Sequence, residues 1–165
     1  MLETYLEALE LGYYEATFAF KGLADSNVWK RPAPELLSVG ELAGHVAYWE
    51  AVKFAGNGRD PAMCRVSSPL IDRRFDYYPG TIATPPSAQH VAMTAEQTLS
   101  ELVRIHREAV AHLRALNPDL ASHPPGFPPQ WAYAELLKYA PFHVAYHVGQ
   151  MYSVRLLLGE DPPDN

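Results

Sequence analysis

Apolar residues recur at helical spacing in four blocks of the chain, and capping residues, proline or glycine mark most of the breaks between them. The first block, residues 3 to about 25, carries Leu6, Leu9, Tyr13, Ala16 and Phe20 on one stripe and contains no proline. The run ADSNVWKRPAPELL that follows, with Pro32 and Pro34, reads as a connection. Ser38 and Glu41 then stand at capping-box spacing ahead of Leu42, Val46, Trp49 and Val52, and the GNG of residues 56–58 stops this second helix. Thr94 and Gln97 repeat the capping pattern before Leu99, Leu102, Val103, His106, Val110 and Leu113, giving a third helix that stops near Asn117 and Pro118. The fourth block runs from near Trp131 to Gly159, before the tail EDPPDN. Pro141 inside it removes one backbone hydrogen bond and predicts a kink or irregular turn.

No strand pattern or internal repeat competes with this reading, and PLIDRRFDYYPG, bounded by Pro and Gly, reads at most as a short extended piece. The expected fold class is all-α, with residues 1–165 forming a single four-helix-bundle domain. The long stretch between Gly56 and Thr94 lacks an extended helical pattern, whereas antiparallel neighbours are normally joined by short links. Such a stretch can cross the length of the bundle, so the expected topology is up-down-down-up with a long crossover between helices two and three. Within the crossover, FDYYPG reads as a pocket wall at a bundle end, with Tyr77 and Tyr78 as contacts for a ligand or as cover for the core.

Composition narrows the partners. The formal charge of −6, with no local cluster of Lys and Arg, argues against nucleic acid. The first residues carry acids where a signal peptide needs bases, and no long apolar run spans a membrane, so a soluble cytoplasmic protein is expected. The lone Cys64 has no internal disulfide partner and reads as an incidental thiol.

Candidate chemistry resides in PFHVAYHVGQMYS, residues 141–153. His143 and His147 stand four apart, so on a helix they project from one face roughly 6 Å apart and can direct a nitrogen each at a shared ion. Their stripe continues through Leu136, Ala140, Gln150 and Val154 and points inward. His45 shares its face of the second helix with Leu42, Trp49 and Val52, and in the expected topology it reaches the depth of the other two. Burying three imidazoles separately requires three hydrogen-bond solutions, whereas one divalent ion satisfies all three. The metal ligands are therefore expected to be His45, His143 and His147, with three separately bonded core histidines as the alternative.

The sites around them are less determined. Glu50, Glu41 and Tyr48 lie near His45 in sequence and are acid or base candidates or else rim residues. Gln150, one turn beyond His147, is a candidate to bond a ligand histidine or a bound water. Gly149 in mid-helix suggests close helix packing or room beside the site. His106, on the apolar stripe of its helix, reads as a core histidine bonded to a tyrosine, with a fourth ligand or a supporting base as alternatives, while His90, His112 and His123 read as solvated. Val144 stands where an HExxH motif places its glutamate, so a peptidase mechanism has no support. Phosphate loops, CxxC motifs and nucleophile elbows are absent. Three neutral nitrogens with an open position suit zinc or nickel, with iron also compatible.

The segments VGELAGHVAYWE, residues 39–50, and FHVAYHVGQMYSVRLLLGE, residues 142–160, resemble the DinB-like superfamily of metal-binding four-helix bundles. The resemblance implies one metal-binding histidine from the second helix, matching His45, and two from the fourth, matching His143 and His147, with HVGQ at residues 147–150. It also implies an up-down-down-up bundle and a frequent homodimer. Relatives in that superfamily include transferases and isomerases that use a small cofactor thiol such as mycothiol or bacillithiol, and metal-dependent hydrolases. The expected function is thus divalent metal binding in an enzyme that activates water or a small thiol toward a small-molecule substrate. The alternatives are a noncatalytic binder of metal or small ligands in stress response, and a structural dimeric bundle with core histidines. Pro141 and the long crossover depart from the family pattern.

Overall fold

The computed structural model describes residues 2–163, apart from the side chains of Tyr78 and Pro79, so the expected contact of Tyr78 lies outside the described residues. The helices are α1 (Leu2–Phe20), α2 (Asp25–Val28), α3 (Val39–Ala55), α4 (Tyr78–Ala83), α5 (Ala88–Val91), α6 (Ala95–Leu116) and α7 (Tyr133–Leu157). Single 3-10 turns occur at Pro61–Met63 and Arg73–Phe75, and no strand occurs among the described residues. The chain is all-α, as its periodicity predicts.

Local chemistry sets the helix ends. Both capping boxes form: the Ser38 hydroxyl accepts from Glu41 N–H while the Glu41 carboxylate accepts from Ser38 N–H, and Thr94 and Gln97 repeat the exchange. α6 ends at Asn117, whose left-handed φ of 41° is a conformation asparagine tolerates better than most residues. α7 has no side-chain cap; its first N–H groups are met by loop carbonyls instead, Tyr133 by Ser122 and Ala134 by Leu120. α1 stops at Phe20, before the expected limit near residue 25, and α7 begins two residues after Trp131. At Pro141, where the sequence predicts a kink or irregular turn, α7 continues as helix without a break.

The stripes close a common core. Leu6, Leu9, Tyr13, Ala16 and Phe20 of α1 are buried with Leu42, Val46 and Val52 of α3, Leu102, Val110 and Leu113 of α6, and Leu136, Val144 and Met151 of α7. Each fully buried large side chain contributes about 1.5–3 kcal/mol. α1 packs against α7 and α3 against α6, with a further contact between α3 and α7. Gly12 meets Val144 and the Ala19 carbonyl accepts from Arg155, so α1 and α7 run in the same sense. Glu3 pairs with Arg114 and Glu10 with His106, so α1 and α6 run oppositely. His45 meets His143 while Lys53 meets Tyr139, so α3 and α7 also run oppositely. At Gly12 an added Cβ would lie 3.0 Å from Val144, which explains the small residue where α1 crosses α7.

The connection between α3 and α6 is ordered by a buried carboxylate. Glu41, fully buried, accepts from Arg31 at 2.6 Å and from Arg74 at 3.3 Å, and Arg31 also donates to the Thr81 and Ile82 carbonyls. These bonds tie the connection to the start of α3 and place Phe75 against it. Glu41 is thereby committed to structure and is not a rim residue. His90 likewise proves buried rather than solvated: Ser87 bonds its Nδ1 and the Pro69 carbonyl its Nε2. His123 is exposed and His112 half-buried.

Candidate metal centre

α3 and α7 bring the three sequence-predicted ligands together. One nitrogen from each of His45, His143 and His147 lies within 4.8 Å of the others, and no other such group occurs among the described residues. His45 and His143 approach Nε2 to Nε2 at 3.2 Å. Two of the rings are oriented from behind. His45 Nδ1–H donates to the Phe75 carbonyl at 2.7 Å and His147 Nδ1–H donates to Gln150 Oε1 at 2.7 Å, which leaves the Nε2 lone pair of each facing the cluster. A donor set of converging, pre-oriented neutral imidazoles fits a divalent ion.

Electrostatics keep those rings neutral. Burial, followed by the charges of Lys53, His147 and His45, brings His143 down to about 2. Burial and His45 bring His147 down to about 4, against the opposing bond to Gln150. Burial also lowers His45, partly offset by the Phe75 carbonyl. A neutral imidazole is the metal-binding form, so protons compete little for these nitrogens at neutral pH.

The cluster opens on a pocket of about 540 Å³, within the range of small-molecule sites. Trp49, Tyr77, Trp131, Tyr139, Phe142 and Tyr146 make much of its wall, with Asp76 as the one carboxylate among the described lining residues. Asp76 is held by Arg59 at 3.5 Å. Tyr77 lines the pocket, as the reading of FDYYPG as a pocket wall expects, and at 70% exposed it does not cover the core.

The weaker candidates divide. Gln150 contacts a cluster histidine. Tyr48 is fully buried, donates to the Arg59 carbonyl and is raised to about 12 by burial, so it does not face the pocket. Glu50 is buried rather than solvated, and it too is absent from the pocket wall. Its Oε2 accepts from the Tyr13 hydroxyl at 2.7 Å and its Oε1 from His106 Nδ1–H at 2.5 Å. His106 is thus bonded to a carboxylate, not to a tyrosine; Tyr13 instead stacks on its ring at 3.8 Å. Burial lowers the His106 pKa, but the hydrogen bond and charge of Glu50, with Glu10, outweigh it and raise the value. Gly149 faces open space, so helix packing does not account for it.

Over residues 8–151 the sequence matches the DinB superfamily. The chain belongs to the DinB superfamily. No curated protein and no solved structure matches it. This DinB chain carries its histidine cluster on α3 and α7, in the two segments whose sequences resemble the family. No helix of the described residues is long and apolar enough to cross a membrane.

Lys53 escaped the sequence reading. It lies one turn beyond Trp49 and two beyond His45 on the same stripe, a periodicity that singles it out, but a lysine in the last turn of a helix ordinarily reads as a solvated complement to the dipole. Here it is buried and lines the histidine pocket, and burial lowers it to about 8 despite Glu50.

Proposed function

We propose that the protein is a metal-dependent enzyme in which His45, His143 and His147 hold one divalent ion, zinc or nickel in preference to iron. The observation that carries this reading is the convergence of three imidazole nitrogens within 4.8 Å of one another at the floor of an aromatic-walled pocket. Three neutral nitrogen donors suit these ions and leave a coordination position open. When bound, such an ion lowers the pKa of a water or a small thiol and supplies a nucleophile at neutral pH.

The chain's own groups prepare that chemistry. Phe75 and Gln150 fix the ligand rings, burial keeps them unprotonated, and the aromatic wall offers apolar surface to a substrate body. The reaction class is transfer or isomerisation with a small cofactor thiol, or hydrolysis. Cys64 does not substitute for an external thiol, because burial and then Asp60 push it up to about 11. The resemblance to DinB-like proteins further supports a homodimer, which light scattering on the eluting protein tests directly.

A noncatalytic carrier of metal or small ligands is the second reading. It is favoured by Asp76, whose pairing with Arg59 leaves no free carboxylate base among the described lining residues.

The deciding measurement is elemental analysis of tag-free protein prepared without chelator, beside His143→Ala. The expected result is near-stoichiometric metal that the variant loses. Wild-type protein that neither retains nor takes up zinc, nickel or iron overturns the metal-dependent enzyme and the metal carrier, and leaves a binder of small organic ligands. Turnover of ester, amide and thiol-acceptor substrates that appears only with metal separates the enzyme from the carrier.

A further inference from the structure

Lys53 is 8% exposed, yet among the described residues its ammonium has no hydrogen-bond acceptor and no ion-pair partner. Its Nζ lies 5.3 Å from the ring centroid of Trp49 and 5.2 Å from that of Tyr139. Aromatic faces attract a cation but accept none of its three N–H donors in the manner of an oxygen. The neighbouring Glu50 is already engaged by Tyr13 and His106. The lysine is largely buried and its head opens on the pocket with no acceptor from the described residues, so an anion entering the pocket supplies the missing partner. The wall that Lys53 shares with the three histidines also carries Arg59, which is paired with Asp76, and the rest of it is largely apolar and aromatic, with Trp131, Phe142 and Tyr146 facing the same space.

We propose that Lys53 is the anion-recognition residue of this pocket, and that the pocket takes a small carboxylate with a flat apolar body. The carboxylate accepts from the Lys53 ammonium between Trp49 and Tyr139, and the body lies on the aromatic wall. The remote end of the ligand turns toward the histidines, and only that last feature rests on the metal reading. The pairing is electrostatic and hydrogen-bonded, and involves no covalent step.

The test uses metal-free protein, so that a carboxylate cannot be captured by an ion, and follows tryptophan fluorescence, to which Trp49 and Trp131 contribute. Phenylacetate is titrated against its neutral analogue phenylacetamide into wild type and Lys53→Met. Wild type is expected to favour phenylacetate by about tenfold or more. Lys53→Met, which keeps the buried stem and removes the charge, is expected to abolish that preference. Equal binding of the two probes by wild type overturns the proposal without any variant, and so does a preference that survives in folded Lys53→Met. Failure of the metal reading shows differently, as absent metal uptake with the phenylacetate preference intact.

Discussion

Phe75 lies across Gly44 so closely that a Cβ built on the glycine would stand 2.7 Å from the phenyl ring. The same Phe75 presents the carbonyl that receives His45 Nδ1–H, one residue along α3 from Gly44. The glycine therefore admits the ring, and the Phe75 backbone aims one of the clustered histidines. Gly44→Ala is expected to push Phe75 out, lower stability by about 1–3 kcal/mol and weaken metal binding by about 10–100-fold. Denaturant unfolding and a competitive metal titration measure the two effects. Unchanged affinity in the folded variant would separate Phe75 from the site.

Gln150 acts on the other side of the cluster. Its Oε1 receives His147 Nδ1–H and its amide nitrogen reaches the Tyr146 hydroxyl at 3.4 Å. Gln150→Leu keeps the side chain's approximate bulk but frees the imidazole to rotate and to move its proton to Nε2. Metal affinity is expected to fall by about 10–100-fold while the thermal midpoint of the metal-free protein changes little. A large fall in that midpoint with affinity intact would make Gln150 a structural residue only.

The parts of this arrangement that were legible in the sequence are those fixed by local spacing. Ser38 and Glu41, like Thr94 and Gln97, satisfy each other across three residues, so their capping boxes depend on nothing distant. His143 and His147 share a helix face for the same reason, and His45 joins them because the apolar stripe of α3 carries it inward. Glu50 could not be read this way. Its burial depends on His106, 56 positions away, and on Tyr13, 37 positions away, and no pattern along α3 announces those partners. Lys53 was hidden by its type, since only the packed α3–α7 surface shows that its ammonium ends between two rings. The continuity of α7 through Pro141 is likewise a tertiary result: its packing on α1 and α3 outweighs the loss of one backbone bond.

The Tyr13–Glu50–His106 cluster is expected to hold the bundle together without taking part in metal binding. Glu50→Gln keeps the shape but removes the charge that His106 and Tyr13 both face, and its NH2 group meets at least one existing donor. Unfolding free energy is expected to fall by about 2–3 kcal/mol, with metal stoichiometry unchanged. Urea titration and elemental analysis on the same preparation check both halves. Loss of metal in folded Glu50→Gln would instead connect this carboxylate to the histidine cluster.

Acid should destabilise the metal-free protein through its clustered histidines. In the unfolded chain these groups take up protons near their ordinary value of 6.5, whereas in the fold His147 waits until about 4 and His143 until about 2. Between pH 6.5 and 4 the unfolded state therefore binds more protons, and stability falls as pH falls, by up to about 1.4 kcal/mol per pH unit for each histidine. His106 has the opposite sign: its pKa is raised in the fold, so its contribution is complete below pH 6.5 and lost as pH rises through the raised value. With His45, His112, His143 and His147 all depressed and His106 alone among the shifted histidines raised, urea midpoints at pH 7, 6 and 5 are expected to decline in wild type. In a His143→Ala/His147→Ala variant the decline should flatten or reverse. An equally steep decline in that variant would place the acid sensitivity elsewhere in the fold.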